Sequence, residues 1–138
     1  MSIEQITAFY DGRCGLCHRA VVFLLTRDRG ERLYFAPIQS ETYRTFAQSR
    51  GISLTPRSIL VYHETEQRLL SEAAAVFYLL RYCGRFWRGV VAACDMLPMK
   101  IWNEVYRMIA KVRHRLFAEP KGLIPELPPE LMRRVLRD

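Results

Sequence analysis

The sequence lacks an apolar stretch long enough to span a bilayer, for which a helix needs roughly 18 residues or more. Its longest candidate, GVVAACDMLPM, is interrupted by Asp95 and Pro98. The beginning of the chain, MSIEQITAFYDG, also lacks the basic and apolar regions of a secretory signal. These absences predict a cytoplasmic protein, and we expect no contact with a membrane.

The chain has few features of a nucleic-acid-binding protein. Its 21 basic and 14 acidic residues give a net charge of +7, yet they form no Lys/Arg run and no RNA-binding signature. The excess charge is compatible with an acidic partner or anionic lipid, and we expect no specific nucleic-acid partner. With 138 residues, 50% of them hydrophobic, the chain has the size and composition of one folded domain.

Metal ligands are scarce as well, since the sequence contains three histidines and four cysteines. A closed zinc site takes four ligands, commonly supplied as two closely spaced pairs. Cys14 and Cys17 form one such pair, whereas Cys83 and Cys94 stand apart and are expected to be core residues. The sequence therefore predicts no resident metal or cofactor, although a metal or cluster shared by two copies of the chain stays open.

The first two thirds of the chain show alternating strand and helix patterns. β-Branched and aromatic runs predict strands at Ile6–Tyr10, 32–38 and 57–64, with a hairpin partner at 66–70. Apolar periodicity and capping residues predict helices at 14–27, 40–51 and 71–84. Strands separated by helices are expected to pair in parallel, and the hairpin to add an antiparallel edge. This β-α-β-α-β-β-α order predicts an α/β fold of the thioredoxin/glutaredoxin type.

Residues 85–138 show no strand pattern and predict additional C-terminal helices. An amphipathic pattern covers 99–117, and a last short helix is predicted at 129–136. Trp87, Trp102 and the methionines at helical spacing are expected in the core. The apolar face of the long helix consists of Ile101, Val105, Met108, Ile109, Val112 and Leu116. Because no long polar linker intervenes, we predict a single domain over 1–138, with a core at about 1–84 and a helical extension at about 85–138.

The cysteine pair lies in the stretch FYDGRCGLC, between the first predicted strand and the first predicted helix. Cysteines at positions i and i+3 of a helical turn have Cα atoms about 5–6 Å apart, within disulfide range. The unpaired N–H groups and the positive dipole end of the helix favour a thiolate at Cys14, and Arg13 adds positive charge. We therefore predict an exposed, attacking Cys14 with a lowered pKa. Cys17 is predicted to be the less exposed, resolving thiol with a raised pKa, and Asp11 to accept its proton.

Two other interpretations of the cysteine pair stay open. The chain can be a non-catalytic binding module in which the two thiols are structural, or one in which they hold a shared metal or cluster. The order of strand, Asp-Gly turn, C-x-x-C and apolar helix favours redox chemistry over both.

The stretch FYDGRCGLC resembles the Y/F-D-G-x-C-x-L-C signature of the DCC family of predicted thiol–disulfide oxidoreductases. Three further blocks, RDRGERLYFAPIQSE, LLSEAAAVFYLLRY and VYRMIAKVRHRLF, are also similar to that family. The resemblance implies a thioredoxin-like fold with added C-terminal helices, and it places Asp11, Cys14 and Cys17 at the positions for which the family is named. It also implies a protein or small-molecule disulfide substrate and a thiol reductant as partners.

A substrate contact is expected just before the third predicted strand. In thioredoxin-like folds a cis-proline at this point of the topology lies against the C-x-x-C and leaves the preceding backbone free for the substrate. Thr55 and Pro56 occupy that place here, so we expect these two residues and Arg13 to bind the substrate. A cis bond is a minority state even before proline, so an ordinary trans bond stays open.

Overall fold

The computed structural model describes residues 6–28, 32–54, 56, 59–64, 66–116, 122, 124–125 and 127–135, except for the side chains of residues 114 and 116. The strands are β1 (Ile6–Tyr10), β2 (Leu33–Pro37), β3 (Leu60–His63) and β4 (Arg68–Ser71). The helices are α1 (Gly15–Arg27), α2 (Glu41–Arg50), α3 (Glu72–Leu80), α4 (Arg85–Cys94), α5 (Met99–Leu116) and α6 (Pro129–Met132). This order confirms the predicted α/β fold of the thioredoxin type.

Three helices differ from the sequence prediction, among them the short helix predicted at 129–136, which ends at Met132. The helix predicted at 71–84 ends at Leu80 and continues as a 3-10 turn over Arg81–Cys83. Gly84 follows with a φ of 114°, a backbone conformation that glycine adopts without steric cost. The chain changes direction there and begins α4, which the sequence pattern did not indicate.

The described strands form a four-stranded sheet in the order β2-β1-β3-β4. β1 and β2 pair in parallel and β3 and β4 form an antiparallel hairpin, as predicted. The expectation of parallel pairing is wrong for β3, which runs antiparallel to β1 with Phe9 opposite Leu60. The cause is the segment after α2, which folds back along that helix, where the Tyr43 hydroxyl donates to the Ser53 carbonyl at 2.6 Å. The chain therefore enters β3 from the opposite end of the sheet.

The core lies on both faces of this sheet, and all residues of β1 are buried. Ile6, Ala8 and Tyr10 belong to a cluster with buried side chains of α1 and α3. Phe9 belongs to a second cluster, which includes Tyr43 and Ala47 of α2. The end of β1, from which the cysteine pair follows, is thus held between two packed layers.

α5 contacts α1 and α3 through a face with polar and aromatic residues. The Asn103 side chain accepts the Ala73 N–H at 3.3 Å, and the Tyr106 hydroxyl accepts the Ile59 N–H at 2.9 Å. Buried backbone donors without partners are costly, so these side chains attach the helix to the core by satisfying them.

The apolar face of α5 points outward, and the expectation that the methionines lie in the core is wrong. The exposed fraction is 86% at Met96, 39% at Met99 and 67% at Met108. Trp87 and Trp102 are half-buried and stack edge-on against Phe23 and Phe77. Ile101, Val105 and Ile109 are also exposed, Val112 is half-buried, and the side chain of Leu116 lies outside the described part. None of the described helices combines the length and apolarity needed to cross a bilayer.

The last described residues pair with β2, although no strand was predicted there. The Phe35 N–H donates to the Arg134 carbonyl at 2.9 Å, and Val135 forms an isolated β-bridge with Phe35. The Arg134 guanidinium forms an ion pair of 2.9 Å with Asp28, and these side chains are only 3% and 1% exposed. The C-terminal segment is thereby fixed to both α1 and β2.

Candidate active site

Cys14 occupies the N-cap position of α1, directly after the turn that ends β1. Its N–H donates to the Asp11 carbonyl at 3.1 Å, and its carbonyl accepts the His18 N–H at 3.1 Å. The sulfur turns back over the first helical turn and accepts the Cys17 N–H at 3.3 Å. Cys14 thus takes the place that a Ser or Asp oxygen usually holds at a helix start, a position that favours negative charge.

The exposures of the two thiols are the reverse of the prediction. Cys14 is 0% exposed, whereas Cys17 is partly exposed and forms part of the wall of an apolar cavity. The N-cap geometry explains the difference, because it directs the Cys14 sulfur inward over the helix instead of outward to solvent. The Cys14 sulfur therefore becomes accessible only when neighbouring groups move aside.

The pKa values of the two thiols are shifted in opposite directions, in agreement with the prediction. A hydrogen bond from the Cys17 thiol has the largest effect on the pKa of Cys14. Together with the hydrogen bond from the Cys17 N–H and the charge of Arg113, it outweighs the effect of burial and lowers the pKa of Cys14 from 9.0 to about 6. The same hydrogen bond, burial and the adjacent Cys14 thiolate raise the pKa of Cys17 above its usual range. At neutral pH the pair is therefore a Cys14 thiolate beside a Cys17 thiol.

Arg113 of α5 supplies the positive charge at this site, and sequence reasoning missed it. Its guanidinium donates to the Cys17 sulfur at 3.6 Å and forms an ion pair with Asp11 at 3.4 Å. The Arg113 side chain is 16% exposed and that of Asp11 20%, so solvent screens this group only partly. The charge expected from Arg13 is thus provided by a residue distant in sequence.

Two groups hold the Asp11 carboxylate in place: the side chain of Gln39, which follows β2, and the turn that precedes α1. One carboxylate oxygen accepts the Arg13 N–H at 3.0 Å and the Gln39 amide at 3.1 Å. Gln39 also accepts the Gly12 N–H at 3.0 Å, and so connects the ends of two strands. The Asp11 carboxylate raises the pKa of Cys17, so its electrostatic effect is on the second thiol of the pair.

The predicted substrate-binding residues Arg13, Thr55 and Pro56 differ in how the structure describes them. The Arg13 side chain is exposed, and Pro56 is half-buried in the wall of a second cavity together with Tyr106 and Arg113. Thr55 lies outside the described residues, so the expectation of a cis or trans Thr55-Pro56 bond also falls outside them. The structure therefore brings Asp11, Cys14 and Cys17 together and adds Arg113 and Gln39 to them.

Cys83 and Cys94 lie away from this group, and all four cysteines are free thiols. Burial raises the pKa of Cys83 to about 11, so this thiol is protonated and unreactive at neutral pH. Among the residues that the structure describes, no three His, Cys, Asp or Glu side chains come together as possible metal ligands.

Comparison with known proteins identifies a family and a relative of this chain. The sequence model of the DCC1-like thiol-disulfide oxidoreductases matches residues 8–119, a range that includes the cysteine pair and all of α5. The chain is 30% identical over 122 residues to the uncharacterized protein YuxK of Bacillus subtilis (strain 168). The matched region covers 86% of this chain and 88% of YuxK. No solved structure matches the chain.

Proposed function

This chain belongs to the DCC1-like thiol-disulfide oxidoreductase family, and we propose that it exchanges disulfides with Cys14 as the attacking thiolate and Cys17 as the resolving thiol. The observation that carries the proposal is the position of Cys14 at the start of α1, where its sulfur accepts the Cys17 N–H at 3.3 Å; in this arrangement the pKa values of the two thiols are shifted in opposite directions. With the pKa of Cys14 at about 6, roughly nine-tenths of it is ionised at pH 7, against about one-hundredth for a thiol with a pKa near 9. Since the thiolate is the nucleophile in thiol–disulfide exchange, this difference selects Cys14 for attack.

In the first step the Cys14 thiolate attacks one sulfur of a disulfide R–S–S–R′. A Cys14–S–R bond forms, the substrate S–S bond breaks, and R′–S⁻ leaves and takes a proton from solvent. Because Cys14 is buried, the step requires a displacement of neighbouring groups. Arg113 is the side chain best placed to move, since its two contacts at the site, of 3.4 and 3.6 Å, are long for hydrogen bonds.

In the second step the Cys17 sulfur attacks the Cys14 sulfur and expels R–S⁻. The thiol proton of Cys17 passes to the Asp11 carboxylate and then to the departing thiolate, which leaves as R–SH. Two electrons have then passed from the protein thiols to the substrate, and the protein holds a Cys14–Cys17 disulfide. A thiol reductant restores the dithiol by the same steps in reverse, so we propose a reducing compartment such as the cytoplasm as the place of action.

Single cysteine variants test these roles, with bis(2-hydroxyethyl) disulfide and insulin as substrates. Cys14→Ser is expected to abolish reduction of either substrate. Cys17→Ser is expected to perform the first step only, so a Cys14-linked mixed disulfide accumulates and is found by mass spectrometry. Cys83→Ser is the matched control, because this thiol is distant from the pair and protonated; its activity should equal that of the parent protein.

Wild-type activity in the Cys14→Ser variant would contradict the proposal. Elemental analysis of protein purified without reductant tests the binding-module alternative. One zinc ion or one iron cluster per two chains, lost in both the Cys14→Ser and Cys17→Ser variants, would favour that alternative over exchange catalysis.

A further inference from the structure

An apolar cavity of about 280 Å³ lies beside the Cys17 sulfur. Its wall combines side chains of the sheet, α1, α3 and α5, among them Leu16, Ala20, Phe35, Val76 and Ile109. The Tyr106 hydroxyl accepts the Ile59 N–H, and the two terminal nitrogens of Arg113 bond to Asp11 and Cys17, whereas the Arg113 Nε has no partner among the described residues. A group placed in this cavity therefore meets carbon on most sides and a thiol on one.

The volume of the cavity sets the size of the group that it accepts. An engineered apolar cavity of about 150 Å³ stays dry and binds benzene, and the cavity beside Cys17 is nearly twice as large. Pockets for whole drug-sized ligands begin at about 300 Å³. The space therefore suits one aromatic ring or a short branched alkyl group, and it is too small for a folded segment of a protein.

A second cavity of about 610 Å³ adjoins the first and shares Tyr106, Ala110 and Arg113 with it. Its wall also contains the exposed side chains Arg107 and Lys111, so it opens to solvent. Cys14 is 0% exposed and Arg113 only 16%. A disulfide on the surface of a folded protein meets α5 before it meets the thiols, whereas a small molecule passes from the second cavity to Cys17 once Arg113 moves.

From this geometry we infer that the substrate is a low-molecular-weight disulfide in which one sulfur carries an apolar group of about the size of one aromatic ring. The inference rests on the proposed thiol–disulfide exchange and specifies its substrate. The Cys14 thiolate attacks the sulfur that carries the apolar group, and the other half of the substrate leaves as a thiolate that takes a proton from solvent. The apolar group occupies the cavity, which keeps the Cys17 sulfur next to the new bond. Cys17 then forms the Cys14–Cys17 disulfide, and the apolar half leaves with the Cys17 proton as a thiol.

Alkyl methanethiosulfonates, CH₃SO₂–S–R, measure the preference for R directly. In the Cys17→Ser protein, the Cys14 thiolate takes the R–S group and releases methanesulfinate, so a stable mixed disulfide forms without further reaction. Each rate constant is divided by that for glutathione with the same reagent, which removes the intrinsic reactivity. We expect the ratio to rise by up to roughly fourfold per added methylene from methyl to butyl. It should be high for benzyl and fall for naphthylmethyl, which exceeds the cavity.

Variants of the cavity wall test whether the cavity is the origin of this preference. Val76→Phe fills the cavity and is expected to remove the dependence of the normalised rate on chain length. Val105→Phe is the matched control, because this side chain lies on the outward face of α5. Ile109 is partly exposed but, unlike Val105, also lines the cavity, so Ile109→Ala enlarges the cavity and is expected to move the optimum to longer chains. If circular dichroism shows that Val76→Phe does not fold, the Ile109→Ala variant alone tests whether the cavity causes the chain-length preference.

The outcomes separate this inference from the proposed function. Equal normalised rates for methyl, butyl and benzyl reagents would overturn the inference, and the proposed function would stand on the reaction of Cys14 with the methyl reagent. Absence of that reaction would overturn both. Faster reduction of insulin than of dibutyl disulfide by the parent protein would also overturn the restriction to small substrates.

Discussion

The Arg113 guanidinium donates a hydrogen bond of 3.6 Å to the Cys17 sulfur, although 96 positions separate the two residues along the chain. A helix near the C-terminal end thereby places a positive charge beside a dithiol formed by the N-terminal turn. Since that charge also lowers the pKa of Cys14, the reactivity of the first thiol depends on how α5 packs.

Replacing Arg113 with methionine should reduce the reactivity of Cys14. The variant loses the charge that stabilises the Cys14 thiolate, so the pKa of Cys14 rises. At pH 6 the rate of iodoacetamide alkylation should fall by up to about fivefold, the change that one pKa unit produces there. Arg115→Met removes an equal charge from the exposed side of the same helix and serves as control. Equal rates for both variants would show that Arg113 does not act on the dithiol.

Replacing Asp11 with asparagine should separate the two steps of exchange. The carboxylate raises the pKa of Cys17, so the variant should lower that pKa, yet it also removes the proposed proton acceptor. We expect the first step to be retained and the second to slow by about 10²-fold, the lower range for loss of a general base. Rapid acid quenching followed by mass spectrometry should then show the Cys14 mixed disulfide during turnover. A resolution rate equal to that of the parent protein would exclude Asp11 as the acceptor.

Cys14 should make the stability of the reduced protein increase with pH. Folding lowers its pKa from 9.0 to about 6, so the unfolded state binds more protons between these two values. The stabilisation is therefore complete above the unfolded pKa and is lost as the pH falls through the folded one. This one group should add up to about 1.4 kcal/mol per pH unit to the free energy of unfolding in that interval. Urea unfolding of the reduced parent protein and of Cys14→Ser measures the difference in slope, and equal slopes would contradict the pKa shift.

The buried ion pair between Asp28 and Arg134 should be costly to break from one side. Both side chains are almost fully buried, so Arg134→Met leaves an unpaired buried carboxylate and should lower the free energy of unfolding by about 3–5 kcal/mol. The exposed pair of Arg44 and Glu41 provides the control, and Arg44→Met should cost less than about 1 kcal/mol. Urea unfolding compares the variants. The double variant Asp28→Leu/Arg134→Met should recover part of the loss, and no recovery would show that the cost is not electrostatic.

The parts of the fold nearest the thiols could be predicted because short-range patterns determine them. β1 has the predicted bounds, and α2 begins after Ser40, whose hydroxyl accepts the Tyr43 N–H at 3.2 Å. It ends at Gly51, which has the left-handed φ of 66°. The position of Cys14 at a helix start follows from the same kind of pattern. The burial of Cys14 does not follow from such a pattern, because it depends on both the N-cap contact and the packing of α5.

The parts of the site that come from distant segments could be predicted only where topology gives a signal. Gln39 follows β2, and the carboxyl ends of the parallel strands β1 and β2 meet at one sheet edge, so its contact with Asp11 was open to inference. Arg113 has no such signal, since Lys111 and Arg115 of the same helix are equally basic. The outward apolar face of α5 shows the same limit: periodicity identifies a face, and the hydrogen bonds that Asn103 and Tyr106 accept from backbone N–H groups determine which face turns inward.

The separation of Arg113 from the cysteine pair has a consequence for synthesis on the ribosome. The 96 positions between Arg113 and Cys17 take roughly 5–20 s to translate at about 5–20 residues per second. During that interval the nascent chain carries Cys14 and Cys17 without the guanidinium and without the helix that later covers them. The proposed redox centre is thus begun well before it is completed, and a chain released before α5 would present its thiols unprotected to cellular oxidants.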